Sequence, residues 1–314
     1  MRNPGFARQR GVALLAAVLV VALATILIAG LLDRGRIGQA RALQYSRTAQ
    51  AYAYQQGLEL WASRLLRDDV ASGSATDHLA EPWAQPMPPV DIPEGRIFGA
   101  MRDLDGCLNL NALWSPADSQ DARVARARFA RLLVVLELDA TLLDAVVDWL
   151  DSDDIAETGG GETARYVALD PPRRPANGPF AHVSELRSVL GVDSERYQRL
   201  APHVCARPDR DAQININTAT APVLASLADG IGMALARRLH RDGRASYDSP
   251  ADLIRELAEA GIPVPPGESP YLRTSSRYFV AEAEIQQGEI SARLYSLIDR
   301  HQGIRVLARS QGRF

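Results

Sequence analysis

The first apolar segment of the chain is an uninterrupted run of uncharged residues. Residues 12–32 carry no charge, and Arg2, Arg8 and Arg10 precede them without an acidic residue. At about 1.5 Å per residue, a helix of roughly 20 residues crosses the hydrocarbon core of a bilayer. The basic residues ahead of the run predict that the short N-terminus stays in the cytoplasm and that the remainder of the chain is exported.

Helical periodicity continues beyond the apolar run. Residues 33–66 contain no proline, and Tyr54, Leu58, Trp61 and Leu65 recur at the spacing of one helical face. We therefore predict one helix over residues 12–66, which lies in lipid in its first half and packs on a soluble domain in its second half.

Strand patterns appear on both sides of a long helical stretch. Residues 71–95 are rich in proline and small polar residues and predict a loop, and residues 96–114 predict a hairpin that turns at Asp105-Gly106. From 115 to about 269 the pattern is that of several short helices. Three further strands are predicted over 275–286, 289–299 and 303–309, the first two joined by a turn at Gln287-Gly288.

These strands favour one sheet that a large insertion interrupts. Three separate domains in series would leave a two-stranded hairpin on its own, which is marginally stable in water. The pattern therefore predicts an α+β fold with an α-helical insertion between strands. Within the insertion, FAHVSEL (180–186) and YDSPADL (247–253) suggest an imperfect repeat, to which chance similarity is the alternative.

Composition and the two cysteines add little information about function beyond the cellular compartment in which the chain folds. The chain has 314 residues, of which 46% are hydrophobic, and a net charge of −3, so no global charge attracts it to nucleic acid. An even pair of cysteines in an exported chain indicates one disulfide, here between Cys107 and Cys205. Its loop would carry an entropic stabilisation of at most about 4–5 kcal/mol. Two buried free thiols are the alternative.

One stretch concentrates acidic residues around three glycines. DWLDSDDIAETGGGE (148–162) contains six carboxylates, which repel one another unless a cation or solvent separates them. Carboxylate oxygens on such a loop suit a hard ion such as Ca²⁺. The residue order of an EF-hand is absent, and a solvated acidic loop at the end of a helix is the alternative.

A second stretch raises the question of nucleic acid binding. ININTATAPVLASLADGIGMALARRLHRDGR (214–244) places a Gly-x-Gly turn between two helices, with Arg237, Arg238, Arg241 and Arg244 behind it. This resembles the helix-hairpin-helix modules that offer backbone N–H groups and cations to phosphates. Neighbouring aspartates dilute the positive field, and a helical packing module is the alternative. Because no Ser-His-Asp or Cys-His arrangement occurs, the chain is not predicted to be an enzyme.

The residues around the start of the apolar run resemble a known signal. In QRGVALL (9–15), a glycine directly before the run resembles the signal of type IV pilin-like subunits, which prepilin peptidase cuts. The resemblance implies cleavage between Gly11 and Val12, methylation of the new amine of Val12, and retention of the helix as anchor and assembly interface. Most such subunits carry Glu at mature position 5, where this chain has Ala16. A buried carboxylate without a partner is costly, so Ala16 fits a subunit with no neighbour above it.

Several further motifs resemble the K-type minor pseudopilins of type II secretion systems. They are DLDGCLNLNALW, DWLDSDD with its glycine-rich loop and ARYVAL, FAHVSELRSVLG, and ININTAT. The resemblance implies a pseudopilin fold with an antiparallel sheet and helix-hairpin-helix or SAM-like elements in the insertion. It also implies calcium, which we assign to Asp151, Asp153, Asp154 and Glu162.

The same resemblance implies a place and a set of partners. The chain would be a single-pass protein of the inner membrane with its C-terminal domain in the periplasm, and no nucleic acid ligand is expected. It would form the tip of the pseudopilus with the I and J minor pseudopilins and nucleate assembly of the pseudopilus. It would also contact cargo or the outer-membrane secretin. A membrane-anchored periplasmic DNA-binding protein is the alternative function.

The corresponding domain organisation has five parts. They are a leader (1–11), a transmembrane helix (12–32), the pseudopilin helix with the first strands (33–114), the insertion (115–269), and the C-terminal strands (270–314).

Overall fold

A computed structural model describes residues 9–287 and 290–311 of the chain. The chain divides into two compact units, Met1–Tyr54 and Gln55–Phe314. Residues 1–8 of the expected leader and Gly288 of the expected turn lie outside the described residues.

The first element is the helix α1, Gln9–Ser72, which is continuous as predicted and six residues longer at its C-terminal end. In the first unit it carries the apolar run, whose side chains are exposed, as Val12 and Leu31 illustrate. This is the one described helix that is long and apolar enough to cross a membrane, and none of its most apolar window is buried within the protein.

The second unit contains a five-stranded sheet. Its strands are β1 (Met87–Ile92), β2 (Gly95–Asp103), β7 (Tyr278–Gln287), β8 (Ile290–Asp299) and β9 (Arg305–Gln311). They lie in that order, and every neighbouring pair is antiparallel. Strand β2 pairs with β7 along its whole length although the insertion separates them in sequence. The predicted interruption of one sheet is therefore confirmed.

The strand β1 corrects the expectation of a loop over residues 71–95. Pro88 and Pro89 suggested a loop, but they lie between Met87 and Val90, where the pairing with β2 shifts register. Since β1 is an edge strand, its prolines remove no hydrogen bond that the sheet needs. The hairpin that β1 forms with β2 turns at Pro93 and Glu94.

The predicted hairpin at Asp105-Gly106 is wrong. After β2 the chain leaves the sheet, and the short strand β3 (Leu108–Asn109) pairs in parallel with β4 (Val204–Cys205). Asp105 accepts hydrogen bonds from the backbone N–H groups of Arg277 and Tyr278 at 2.7 and 2.8 Å. The aspartate that suggested a turn therefore fixes the start of β7.

The part of α1 that belongs to the second unit packs on the sheet. The buried stripe is Leu58, Ala62 and Leu66, whereas Trp61 and Leu65 of the predicted stripe lie half-buried at its margin. Glu59 is also buried, because it accepts hydrogen bonds from Arg309 Nε at 2.6 Å and from Ser296 Oγ at 2.7 Å.

The insertion contains seven helices in the described residues. They are α2 (Gln120–Val135), α3 (Thr141–Leu150), α4 (Thr163–Val167), α5 (Ser194–Leu200), α6 (Ala221–Ala225), α7 (Met233–His240) and α8 (Pro250–Glu259). Short 3₁₀ helices and two pairs of short strands connect them. Their apolar faces share one core, in which Phe129, Leu132 and Leu186 are fully buried.

The insertion consists of two parts with the same arrangement of elements, which we call the first and second insertion units. The first (108–205) opens with β3, which pairs with β4, and the second (214–273) opens with β5 (Ile214–Asn215), which pairs in parallel with β6 (Leu272–Arg273). In the first, the Asn111 side chain bonds the N–H and C=O of Phe180 at 2.8 and 3.0 Å. In the second, Asn217 bonds the same groups of Tyr247 at 2.7 and 3.1 Å.

The suspected repeat marks the same position in both units. Phe180 and Tyr247 each precede a capping box, formed by His182 with Glu185 and by Ser249 with Asp252. A capping box satisfies two backbone N–H groups at the start of a helix. A fully buried leucine follows each box. The two heptapeptides are therefore a structural repeat and not a chance similarity.

The predicted disulfide is confirmed. Cys107 and Cys205 are bonded and buried, and they are 98 residues apart in sequence. The bond joins the segment that leaves the sheet to the last strand of the first insertion unit.

Candidate functional site

Three buried carboxylates meet at the ends of α3 and α4. Asp148 lies in the last turn of α3, Asp151 directly follows that helix, and Glu162 directly precedes α4. One carboxylate oxygen of each lies within 4.8 Å of the others. The three side chains are almost fully buried, at 0%, 5% and 6% exposure of their residues.

This acid cluster of Asp148, Asp151 and Glu162 overlaps the expected ligand set only in part. Asp151 and Glu162 belong to both, whereas Asp153 and Asp154 are exposed. Asp153 Oδ1 instead accepts a hydrogen bond from the N–H of Ile155 at 2.9 Å. The three-residue spacing of Asp148 and Asp151 at a helix end was the sequence signal that could have identified Asp148.

The glycines of the loop allow its backbone to lie against α3. A Cβ on Gly160 would lie 2.0 Å from Asp148 Oδ2, and one on Gly159 would lie 2.7 Å from Thr141 Cβ. The close approach lets the N–H of Glu157 donate to Asp148 Oδ1 at 3.1 Å. Side chains at positions 159 and 160 would therefore displace the loop from α3 and the acid cluster.

Three oxygens of the acid cluster lack a hydrogen-bond donor in the described residues. Asp151 Oδ1 and both Glu162 oxygens are buried and accept no hydrogen bond from any residue that the structure describes. Burial, and secondarily neighbouring carboxylates, raise the pKa of Asp151 to about 6 and the pKa of Glu162 to about 7. Buried carboxylates without donors normally pair with a cation. An all-oxygen donor set fits a hard divalent cation such as Ca²⁺.

A second group of carboxylates already has its counterion. Asp69, Asp77 and Glu81 also place oxygens within 4.8 Å of one another. The guanidinium of Arg300 lies among them, with its Nη1 at 2.9 Å from Asp69 and 2.8 Å from Asp77. An arginine therefore supplies here the positive charge that the acid cluster lacks.

The Gly-x-Gly turn lies between α6 and α7, as the helix-hairpin-helix resemblance implied. Two of the four arginines behind it are engaged with acidic residues. Arg241 lies 3.0 Å from Glu256, and Arg244 lies 3.8 Å from Asp242. These contacts reduce the positive charge that a phosphate would meet.

The predicted processing residues lie at the start of α1. Gly11 belongs to the helical backbone, and Val12 and Ala16 are exposed along the apolar run.

Comparisons with known proteins agree with this architecture. The family described as type II secretion system (T2SS), protein K matches residues 106–209 and 214–274, which correspond to the two insertion units. Protein K of the type II secretion system of Pseudomonas aeruginosa is 34% identical over 97% of this chain and 93% of its own length. Its counterpart from Klebsiella pneumoniae is 33% identical over 93% of each chain.

A solved structure extends the likeness to the fold. A chain in the crystal structure of the GspK–GspI–GspJ complex from the enterotoxigenic Escherichia coli type 2 secretion system matches with a TM-score of 0.73 and 28% identity. The match covers 87% of this chain and 100% of that chain. These relatives are secretion proteins, so none of them supports the DNA-binding alternative. The chain belongs to the protein K family of the type II secretion system and is a minor pseudopilin of that system.

Proposed function

We propose that this minor pseudopilin caps the pseudopilus together with its I and J partners and nucleates its assembly. The observation that carries the proposal is the match to a solved GspK–GspI–GspJ complex over the whole length of the matched chain. The role is one of binding and geometry, in which the chain breaks no bond of its own. Contacts of the insertion with cargo or with the outer-membrane secretin belong to the same proposal.

The helix α1 supports this role. Its exposed apolar run is long enough to anchor the chain in the inner membrane, with the second unit in the periplasm. Prepilin peptidase would cut before Val12 and leave the run in place. Ala16 then offers no carboxylate to a subunit above it, which suits the end of a filament.

The test is the stoichiometry of a reconstituted complex. The full chain in detergent is mixed with the I and J pseudopilins of the same operon and examined by light scattering after size-exclusion chromatography. A stable 1:1:1 complex is expected. The chain eluting alone in calcium and without reductant would contradict the tip role. Mass spectrometry of chain isolated from membranes should place the N-terminus at a methylated Val12.

We further propose that the acid cluster binds one structural Ca²⁺. Asp148, Asp151 and Glu162 would supply carboxylate oxygens, and the cation would offset both the missing donors and the mutual repulsion of the three charges. The bound ion would join the end of α3 to the start of α4 across the loop 152–161. Asp153 and Asp154 would remain outside the ligand set because they are exposed.

Paired variants test this assignment. Asp151→Asn and Glu162→Gln should weaken calcium binding by more than about tenfold in isothermal titration, because each removes a charged oxygen donor. Asp153→Asn and Asp154→Asn are matched controls on the same loop and should bind like the wild type. Calcium should raise the melting temperature of the wild type as a ligand of the folded state. Equal losses in all four variants would contradict the proposed ligand set.

A further inference from the structure

A polar cavity lies at the junction where the chain passes between the sheet and the insertion. Its volume is about 400 Å³, and small-molecule sites in proteins begin at about 300 Å³. Three segments supply most of its wall, namely the linker between the insertion units (206–213), the end of β6 with the connection to β7 (273–277), and the residues after β8 (300–301). Neither the assembly role nor the acid cluster uses these residues.

Two of the three aspartates in the wall are engaged within the protein. Asp105 forms an ion pair with Arg207 and accepts hydrogen bonds from the backbone N–H groups of Arg277 and Tyr278. Asp209 Oδ1 accepts a hydrogen bond from the Asn109 side chain at 3.3 Å and lies 3.4 Å from Arg207 Nε. These two carboxylates therefore belong to the fixed framework of the cavity.

Two of the three arginines in the wall are engaged in the same way. Arg277 donates from Nε and Nη2 to the two carboxylate oxygens of Asp299, both at 2.9 Å. Arg300 Nη1 lies 2.9 Å from Asp69 and 2.8 Å from Asp77. Both guanidinium groups thus have carboxylate partners of their own.

The wall has one further charge of each sign. Arg273 ends β6, is exposed, and makes no ion pair or side-chain hydrogen bond with any residue that the structure describes. Asp211 Oδ1 accepts the N–H of Gln213 at 2.8 Å, whereas Oδ2 has no donor among the described residues. Burial raises the pKa of Asp211, although that hydrogen bond and the charge of Arg207 oppose the effect. A cation at Oδ2 would therefore stabilise the charged carboxylate.

We propose that this cavity binds a short peptide with free termini, whose carboxylate lies on Arg273 and whose ammonium group lies on Asp211. A planar guanidinium matches a carboxylate through two parallel hydrogen bonds, and an ammonium group supplies the donors that a carboxylate oxygen accepts. One ligand with both charges suits a wall whose two unengaged charges differ in sign. Because Asp211 belongs to the linker and Arg273 to β6, the bound peptide would connect the linker to the segment that returns to the sheet.

Isothermal titration of the full chain in detergent, with calcium present, measures this binding. The probe is trialanine, for which we expect one site with a dissociation constant below about 1 mM. Acetylation of the trialanine N-terminus and amidation of its C-terminus should each weaken binding about tenfold or more, because each removes a charge-assisted hydrogen bond.

Two variants assign the termini of the peptide to their partners. Asp211→Asn, which keeps an oxygen for the N–H of Gln213, should bind trialanine about tenfold more weakly and should no longer respond to acetylation. Arg273→Gln should show a similar loss and should no longer respond to amidation. Asp248→Asn and Arg238→Gln are matched controls, because these exposed residues of the second insertion unit do not line the cavity, and they should bind like the wild type.

Several results would overturn the proposal. Trialanine that does not bind at 10 mM would show that Arg273 and Asp211 are solvated charges only. Acetate that binds as tightly as trialanine would show a simple anion site. A response to acetylation that persists in Asp211→Asn, or a response to amidation that persists in Arg273→Gln, would remove the assigned contacts.

Discussion

Single residues in this chain owe their identity to contacts that a sequence pattern does not reveal. Glu59 occupies a position on the buried side of α1 because Arg309 and Ser296 satisfy its carboxylate. Gly160 occupies its position because Asp148 leaves no space for a side chain. Arg309 and Ser296 lie 250 and 237 residues from Glu59 in sequence, and only the folded chain brings them together. Polarity alone would therefore have placed Glu59 at the surface.

Substitution of Gly160 should destabilise the acid cluster. Gly160→Ala places a Cβ against Asp148 Oδ2, so we expect a loss of about 1–3 kcal/mol in the free energy of unfolding and weaker calcium binding. Gly178→Ala is the matched control, because the nearest atom to its Cβ lies 3.7 Å away. Urea denaturation and calcium titration measure both variants. Equal stability of the two would contradict the crowding at Gly160.

Neutralising Glu59 should loosen the helix from the sheet in a pH-dependent way. Burial tends to raise the pKa of Glu59, but hydrogen bonds from Arg309 and Ser296 outweigh it and lower the pKa below 4.5. The charged form therefore stabilises the fold above pH 4.5, and this contribution is lost as the pH falls through the folded-state pKa. Glu59→Gln should cost about 1–2 kcal/mol at pH 7 and less at pH 4, by chemical denaturation. Asp68 is exposed on the same helix, so Asp68→Asn is the control and should leave stability unchanged. A loss of stability in Glu59→Gln that does not depend on pH would contradict the ion-pair account.

At the scale of elements, long periodic patterns predicted helices and strands correctly, whereas two short turn signals led to wrong predictions. The helix α1 and the strands β7, β8 and β9 carry sustained periodicity, so their existence followed from the sequence. The prolines of β1 are compatible with a loop or with an edge strand, and the Asp105-Gly106 pair is compatible with a hairpin or with a turn that leaves the sheet. Tertiary pairing decides which structure forms. The acid cluster shows a related limit, because the sequence prediction included Asp151 and Glu162 but omitted Asp148, which the fold places beside them.

The disulfide should stabilise the junction where the chain leaves the sheet. Replacing Cys107 and Cys205 together by serine removes the link between β3 and β4, and we expect a loss of about 2–5 kcal/mol in the free energy of unfolding. Thermal denaturation of both chains with and without reductant measures it. Reductant should lower the melting temperature of the wild type and leave the variant unchanged; an equal effect on both would contradict a bonded pair.

At the scale of the whole molecule, the chain combines a helix that is long and apolar enough to cross a membrane with a second unit that contains the sheet and the insertion. In the second unit, the residues of α1 precede the strands of the sheet in sequence. The two insertion units lie between β2 and β7, which pair although the insertion separates them in sequence. In the proposed tip role, the two insertion units would obstruct the stacking of further subunits above this chain. The same proposed role would account for the apolar residue at position 16.

Restoring the missing carboxylate tests that place. Ala16→Glu adds a charge to the apolar run, and a chain at the tip has no neighbouring amine above it to neutralise this charge. We expect fewer pseudopili in cells that carry the variant in place of the wild-type chain, with the 1:1:1 complex still formed in detergent. Ala16→Leu, which stays apolar, should assemble normally. A chain within the filament shaft would behave in the opposite way, because there the new carboxylate would meet the amine of the subunit above and pseudopilus number would be maintained or increased.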